Sequence, residues 1–397
     1  MINRDEYLNK LIGFKDKKLI KVITGIRRCG KSTLLKIFRN YLIDNNVNEK
    51  QIITINFENP DYDELKDYKS LYNYLKSKIA TDNKYYILLD EIQNVTDYQK
   101  AIDGLYIMDN VDLYITGSNA YFMSGELATL LSGRYVEIQM LPLSFKEYVS
   151  AHNEKKDLST LYRQYIENSS FPYAIELEND KEQINTYLSG IYNTVILKDV
   201  VSRKNISDVS LLESIIKFMF DNIGNITTPK KISDTMTSKG RKISNHTVEN
   251  YLTALVDSFI LYKAGRYDIK GKQYLETQEK YYISDIGLRY YLLGSKYVDM
   301  GHILENIVYL ELIRRGYKVY IGKINSLEVD FVAEKNGEIE YYQVSQTVME
   351  KTTLDREITP LNSIKDHYPK YLITMDNIPN ISHNGIKQIY ALDWLLN

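Results

Sequence analysis

Short apolar runs alternate with amphipathic stretches along the first third of the chain. Lys18 to Thr24 (KLIKVIT) reads as a strand, and Lys31 to Leu42 places Leu34, Leu35, Phe38 and Leu42 on one helical stripe. Four further runs, Ile52 to Phe57, Tyr85 to Leu89, Leu113 to Thr116 and Tyr135 to Met140, predict more strands. Strands separated by helices predict an α/β fold with a parallel sheet covered on both faces.

The pattern then changes. Leu143 to about Leu212 reads as mostly helical, with a break at Phe171-Pro172. Helices are expected at Leu211 to Asn222, Lys230 to Ser238 and Ser244 to Asp257, with a turn at Lys239-Gly240. Strands are expected at Ile260 to Tyr267, Gln273 to Glu276 and Lys280 to Ile283. Helix, glycine turn, helix and β-hairpin is the order of a winged helix-turn-helix. The last part returns to α/β character. A helix over Gly301 to Arg315 ends at Gly316. Strands follow at Lys318 to Ile321, Glu328 to Glu334 and Ile339 to Ser345, with Asn336-Gly337 as the hairpin turn. Another strand is expected at Tyr371 to Met375.

Composition narrows the class. With 44% hydrophobic and 26% charged residues in 397, the chain is of ordinary globular type and can bury a core without staples. A net charge of −2 argues against a globally basic nucleic-acid binder and leaves room for a local basic patch. The single cysteine, Cys29, excludes an intrachain disulfide and points to a reducing cytoplasm. Arg4, Asp5 and Glu6 interrupt any leader-like start, and no apolar run reaches bilayer length, so no membrane association is expected.

The chemistry sits first in the loop after the opening strand. Gly25-Ile26-Arg27-Arg28-Cys29-Gly30-Lys31-Ser32 matches GxxxxGKS/T between a strand and a helix. Its glycines let backbone N–H groups turn onto phosphate oxygens, and the following helix adds its positive end. Lys31 supplies charge to the β- and γ-phosphates, Ser32 a hydroxyl to Mg2+, and Thr33 continues the first turn. ATP and Mg2+ are therefore expected. The strand Tyr85 to Leu89 leads into Asp90-Glu91, where Asp90 is placed to reach the metal and Glu91 to orient or deprotonate the attacking water. The next strand ends in Thr116-Gly117-Ser118-Asn119, so Ser118 or Asn119 stands near the γ-phosphate; the same residues are also ordinary turn formers. Arg134 precedes the fifth strand and is read either as an arginine reaching a neighbour's γ-phosphate or as one paired within its own fold.

Together GIRRCGKSTLL, YYILLDEIQ, ITGSNA, LLSGRY followed by LPLSFKEY, and YYISDIGLRYYLLG resemble prokaryotic predicted AAA+-superfamily ATPases that carry a C-terminal domain of unknown function. The resemblance spans nearly the whole chain. It implies a P-loop core of the ASCE type with Glu91 as catalytic residue, Asn119 or Ser118 as sensor, and Arg134 as arginine finger in a homo-oligomer. Three domains follow from this reading: an ATPase domain over 1–150, a helical linker with winged helix-turn-helix over 151–285, and a restriction-endonuclease-like domain over 286–397.

Lys231, Arg241, Lys242, Asn245 and His246 surround the expected recognition helix and are candidate DNA contacts, although winged helices also serve as protein-contact modules. Glu305 on a helix, then Glu328 and Asp330 on one strand face and Gln343 and Ser345 on the next, have the order of a PD-(D/E)XK core. Gln343 stands where a carboxylate is expected and Ser345 where a lysine is expected, so a non-catalytic nuclease fold is the expectation. The leading functional expectation is an ATP-driven switch or motor whose later modules contact DNA or a partner protein. The alternatives are an ATP-licensed nuclease and a signalling or defence NTPase that assembles on ATP.

Overall fold

A computed structural model describes residues 2–80, 83–118, 131, 133–152, 157–198, 200–201, 206, 208–294, 299–379 and 381–397. They form two compact units, Met1–Pro142 with Asp257–Phe259, and Leu143–Val256 with Ile260–Asn397.

The first unit is a five-stranded sheet of β1 (Ile20–Thr24), β2 (Ile52–Asn56), β3 (Tyr85–Asp90), β4 (Val111–Thr116) and β5 (Tyr135–Gln139). The order is β2-β3-β4-β1-β5 and every pairing is parallel. Around it stand α1 (Asp5–Gly13), α2 (Lys31–Asp44), α3 (Tyr68–Lys78) and α4 (Tyr98–Tyr106). The three central strands β1, β3 and β4 are buried along their whole length, which is why they read as continuous apolar runs rather than alternations. Leu71 and Leu75 of α3 and Ala101, Ile102 and Leu105 of α4 pack on Ile87, Leu89, Leu113 and Ile115. Two charges break the apolar middle. Lys21 of β1 and Asp112 of β4, both essentially inaccessible, form an ion pair. The Tyr114 hydroxyl (2.9 Å) and the Asp16 N–H (2.9 Å) also donate to Asp112. These bonds satisfy the buried carboxylate.

The second unit begins with α5 (Phe145–Ser150), α6 (Leu158–Asn168), α7 (Lys181–Ile191) and α8 (Val209–Asp221). The break expected at Phe171-Pro172 is a short 3-10 segment, Pro172–Leu177. Next come β6 (Ile226–Thr227), α9 (Pro229–Ser238), α10 (Asn245–Asp257), β7 (Leu261–Asp268) and β8 (Gln273–Ile283). The chain continues through α11 (Ile286–Leu293), α12 (Met300–Arg314), β9 (Lys318–Ile324), β10 (Leu327–Lys335), β11 (Glu338–Ser345), α13 (Lys351–Asn362), β12 (Lys370–Thr374), β13 (Ile381–His383), β14 (Ile386–Tyr390) and α14 (Ala391–Leu396). Among the described residues no helix is long and apolar enough to cross a membrane.

All the strands of this unit form one sheet, ordered β13-β14-β12-β11-β10-β9-β7-β8-β6. Two expectations change here. Gln273 to Glu276 and Lys280 to Ile283 are one strand, β8, which pairs with β7 across a register shift between Ala264 and Arg266. The β7-β8 hairpin also joins the C-terminal strands, because β7 runs parallel to β9 with Tyr267 opposite Gly322. Gly322 allows that junction: a Cβ there would stand 2.9 Å from Val329 and Val332 and 3.0 Å from Ile269. The sheet therefore runs continuously across residues 285 and 286. Helix α12 is buried from Ile303 to Leu312, which explains its apolar composition on every face.

Candidate functional site

The phosphate loop leaves the carboxyl end of β1 and enters α2. Gly25 (φ 142°), Arg28 (φ 70°) and Gly30 (φ 104°) carry the left-handed backbone that curls it. At Gly25 the requirement is steric as well, since an added Cβ would lie 2.1 Å from the Met140 carbonyl oxygen. Gly25→Ala is therefore expected to deform the loop and weaken ADP binding by about an order of magnitude or more, measured by titration calorimetry. The side chains of Ile26 and Cys29 are fully buried and act as walls. Arg27 pairs with Glu58, while Arg28 is exposed. Arg4, 2% exposed, braces the loop from behind by donating to the carbonyls of Cys29 (2.9 Å) and Leu141 (2.7 Å).

Lys31 is buried with its ammonium 3.0 Å from the Gly25 carbonyl, 3.2 Å from that of Ile26 and 3.9 Å from Glu91 Oε1. Ser32 and Thr33 follow on the first turn of α2, both half-buried. Asp90 ends β3, and its carboxylate accepts from Thr116 Oγ1 (2.6 Å) and Asn56 Nδ2 (3.0 Å). Burial pushes the Asp90 pKa up against opposing hydrogen bonds from Thr116 and Ser32. The Ser32 hydroxyl and the Asp90 carboxylate thus meet, as shared Mg2+ ligation would require. Glu91 leaves the strand in left-handed geometry (φ 53°), and its N–H donates to Thr116 Oγ1 at 2.8 Å. Thr116 therefore ties both acids to the tip of β4. Gln93 Nε2 donates to Glu91 Oε2 and to Ser118 Oγ, the latter at 3.3 Å.

Asn119 lies outside the described residues. Arg134 stands elsewhere. Its carbonyl accepts from Ile20 N–H at the amino-terminal end of β1, opposite the loop. Its guanidinium pairs with Asp103 and lies 5.5 Å from the Tyr106 ring centroid.

The second unit holds a polar cleft of about 1140 Å³. Glu305, Glu328, Asp330, Gln343 and Ser345 all line it, so the structure brings these five together. Two unanticipated residues join them. Lys280 of β8, 4% exposed, reaches Glu305 Oε1 (3.0 Å) and Glu328 Oε1 (2.8 Å). Glu357 of α13 accepts from Gln343 Nε2 at 2.8 Å. The Tyr282 hydroxyl adds a 2.7 Å bond to Glu305, and Ser345 Oγ donates to the Thr347 carbonyl at 3.1 Å. Among the described residues no cluster of acids, histidines or cysteines is arranged around a metal position. Burial opposes the charge on Lys280, but Glu305, Asp330 and Glu328 hold its pKa above the usual lysine value.

Asp330 shows the opposite strain. Burial first, and then the nearby Glu305 carboxylate, push its pKa well above the ordinary carboxyl range. Its folded form binds a proton more tightly than the unfolded chain does. The stability this contributes is complete below the unfolded value and is lost as pH rises through the folded one. Asp330→Asn keeps an acceptor for the Val344 N–H, which lies 2.8 Å from Asp330 Oδ2, and removes the charge. The variant is expected to melt a few degrees above the parent near about pH 8, with the gap closing towards about pH 4, as thermal scans will show.

Lys231, Arg241, Lys242, Asn245 and His246 are all exposed. Lys231 also lines the cleft, and His246 lies 3.3 Å from Asn250. Residues that the sequence did not mark include Arg4, Asn56, Gln93, Lys280 and Glu357. Gln93 had a signal, being two positions beyond the acid pair. Lys280 and Glu357 had none, since each reaches the cleft from a separate element.

An AAA domain model matches residues 17–149, and a model of a domain of unknown function matches residues 159–299. An uncharacterized protein of Haemophilus influenzae is 44% identical over 400 residues, covering 100% of this chain and 99% of that one. An uncharacterized protein of Methanocaldococcus jannaschii is 32% identical over 404 residues, covering 95% and 83%. Among solved structures, the Walker-type ATPase of Pyrococcus abyssi shares the fold with a TM-score of 0.53 at 17% identity, covering 74% of this chain and 96% of that one. The chain thus belongs to one family with the Haemophilus influenzae and Methanocaldococcus jannaschii proteins, and its first unit is an AAA-type P-loop ATPase domain.

Proposed function

We propose that this protein is a Mg2+-dependent ATPase that works as a switch, with the second unit contacting DNA or a partner protein. The observation that carries the reading is the convergence of Lys31, Asp90, Glu91 and Thr116 at the carboxyl edge of one parallel sheet. Phosphates would be held by the loop N–H groups and Lys31. Ser32 and Asp90 would hold Mg2+, which would supply positive charge to the bound phosphates. Glu91 takes a proton from water as the water oxygen bonds to the γ-phosphorus and the bond to the bridging oxygen breaks. A γ-phosphate would report its presence through Ser118 or Asn119.

Arg134 lies just before β5 at the amino-terminal edge, paired with Asp103 and away from its own loop, so any nucleotide it serves would be that of a second copy. A homo-oligomer in which hydrolysis depends on a neighbour is part of this proposal. In the second unit we read residues 151–285 as a helical linker with a winged helix-turn-helix and residues 286–397 as a restriction-endonuclease-like domain. The exposure of Arg241, Lys242, Asn245 and His246 is compatible with phosphate contact. Lys280 is committed to Glu305 and Glu328, and Gln343 to Glu357, which favours a non-catalytic cleft. We propose a cytoplasmic setting.

The test is ATPase rate with and without single-stranded DNA, duplex DNA and RNA, alongside mass by light scattering with and without nucleotide. Stimulation by DNA, steeply reduced by salt, supports DNA contact. Assembly without any nucleic-acid response favours a signalling NTPase acting through protein contacts. Absence of Mg2+-dependent ATP hydrolysis under every condition overturns the reading.

A further inference from the structure

We infer that Gln93 is a positioning residue for ATP hydrolysis, holding the Glu91 carboxylate off Lys31 and coupling it to the tip of β4. The inference rests on the reading of Glu91 as the group that takes the proton from water. Glu91 sits in a left-handed backbone conformation directly after β3, with its N–H fixed to Thr116. Its two carboxylate oxygens then have different tasks. Oε1 points towards the Lys31 ammonium at 3.9 Å, too far for a hydrogen bond, while Oε2 accepts from Gln93 Nε2.

The amide orientation is dictated by chemistry. A carboxylate only accepts, so the NH2 end of Gln93 must face it. The same NH2 reaches Ser118 Oγ at 3.3 Å, which joins the acid that follows β3 to the second residue beyond β4. Gln93 Oε1 is buried and has no partner among the described residues. Both contacts of Gln93 at this site are made through its donor end. Without that donor, Glu91 is free to swing through the short remaining gap and form a direct ion pair with Lys31. Such a pair would engage the lysine that serves the phosphates and the carboxylate that serves the water.

The experiment uses the full chain and three variants, Gln93→Ala, Gln93→Glu and Glu91→Gln. It measures kcat and KM for ATP, and ADP affinity by calorimetry. Gln93→Ala is expected to lower kcat by about 100-fold, the scale of a misplaced reacting group, with ADP affinity falling far less, by no more than about tenfold. Gln93→Glu replaces the donor with an acceptor-only carboxylate and is expected to lower kcat about as far as Gln93→Ala does, with KM changed much less. A purely structural role would lower kcat and affinity together. Wild-type kcat in either Gln93 variant overturns the inference, as does loss of ADP affinity in step with kcat. If Glu91→Gln is inactive while Gln93→Ala turns over normally, only the Gln93 inference falls. If Glu91→Gln itself turns over normally, the reading of Glu91 falls and takes this inference with it.

Discussion

Glu91→Gln is expected to reduce ATP turnover by about 10²- to 10⁴-fold while leaving nucleotide binding intact. The substitution keeps the shape of the side chain and removes its capacity to take a proton. Binding does not depend on that capacity, because the loop N–H groups and Lys31 hold the phosphates. Affinity is even expected to rise slightly, since Glu91 Oε1 lies 3.9 Å from the Lys31 ammonium and its charge competes with phosphate for that lysine. Steady-state phosphate release and calorimetric titration with a non-hydrolysable ATP analogue separate the two effects. Undiminished turnover would move the proton-accepting role to another group.

Lys280→Met is expected to destabilise the second unit by about 3–5 kcal/mol, the usual cost of removing one member of a buried ionic cluster. The methionine fills much of the lysine stem's volume, so packing changes little. What changes is charge. Glu305, 6% exposed, loses the ammonium at 3.0 Å and keeps the Tyr282 hydroxyl, while Asp330 loses a balancing cation. Adding Glu305→Gln to Lys280→Met removes one orphaned charge and is expected to recover part of the loss. Calorimetric scans of the parent, both single variants and the double variant check the cycle. Equal melting of Lys280→Met and the parent would mean that the cluster adds nothing to stability.

The nucleotide loop and the acid pair were legible because their residues are consecutive and their context is local. A strand, a glycine-bounded loop and a helix occur in one short stretch, and the burial of β3 makes Asp90-Glu91 stand out after an apolar run. The roles of Asn56 and Thr116 were harder to see. A polar residue at a strand end has many ordinary uses, and only the parallel register brings Asn56 opposite Asp90. Arg4 is further removed still, since it reaches across 137 positions to the Leu141 carbonyl.

In the second unit, the strands and the helix with Glu305 follow from alternation and from Gly316, yet the hairpin's destination does not. Pairing of β7 with β9 is a long-range choice made by side chains that meet only in the folded state, such as Ile269 against the bare Cα of Gly322. Lys280 shows the consequence. Within β8 it reads as one lysine among strand residues, and its carboxylate partners come from α12 and β10.

The chain's own order of residues therefore determined the phosphate loop, the acids that end β3 and the alternation that builds a parallel sheet, because each depends on neighbours in sequence. Tertiary structure alone decided which polar groups hold Glu91, which end of the sheet receives Arg134, and which cation enters the cleft. Those outcomes depend on desolvation and on distances of about 3 Å between distant segments, quantities that local pattern does not encode.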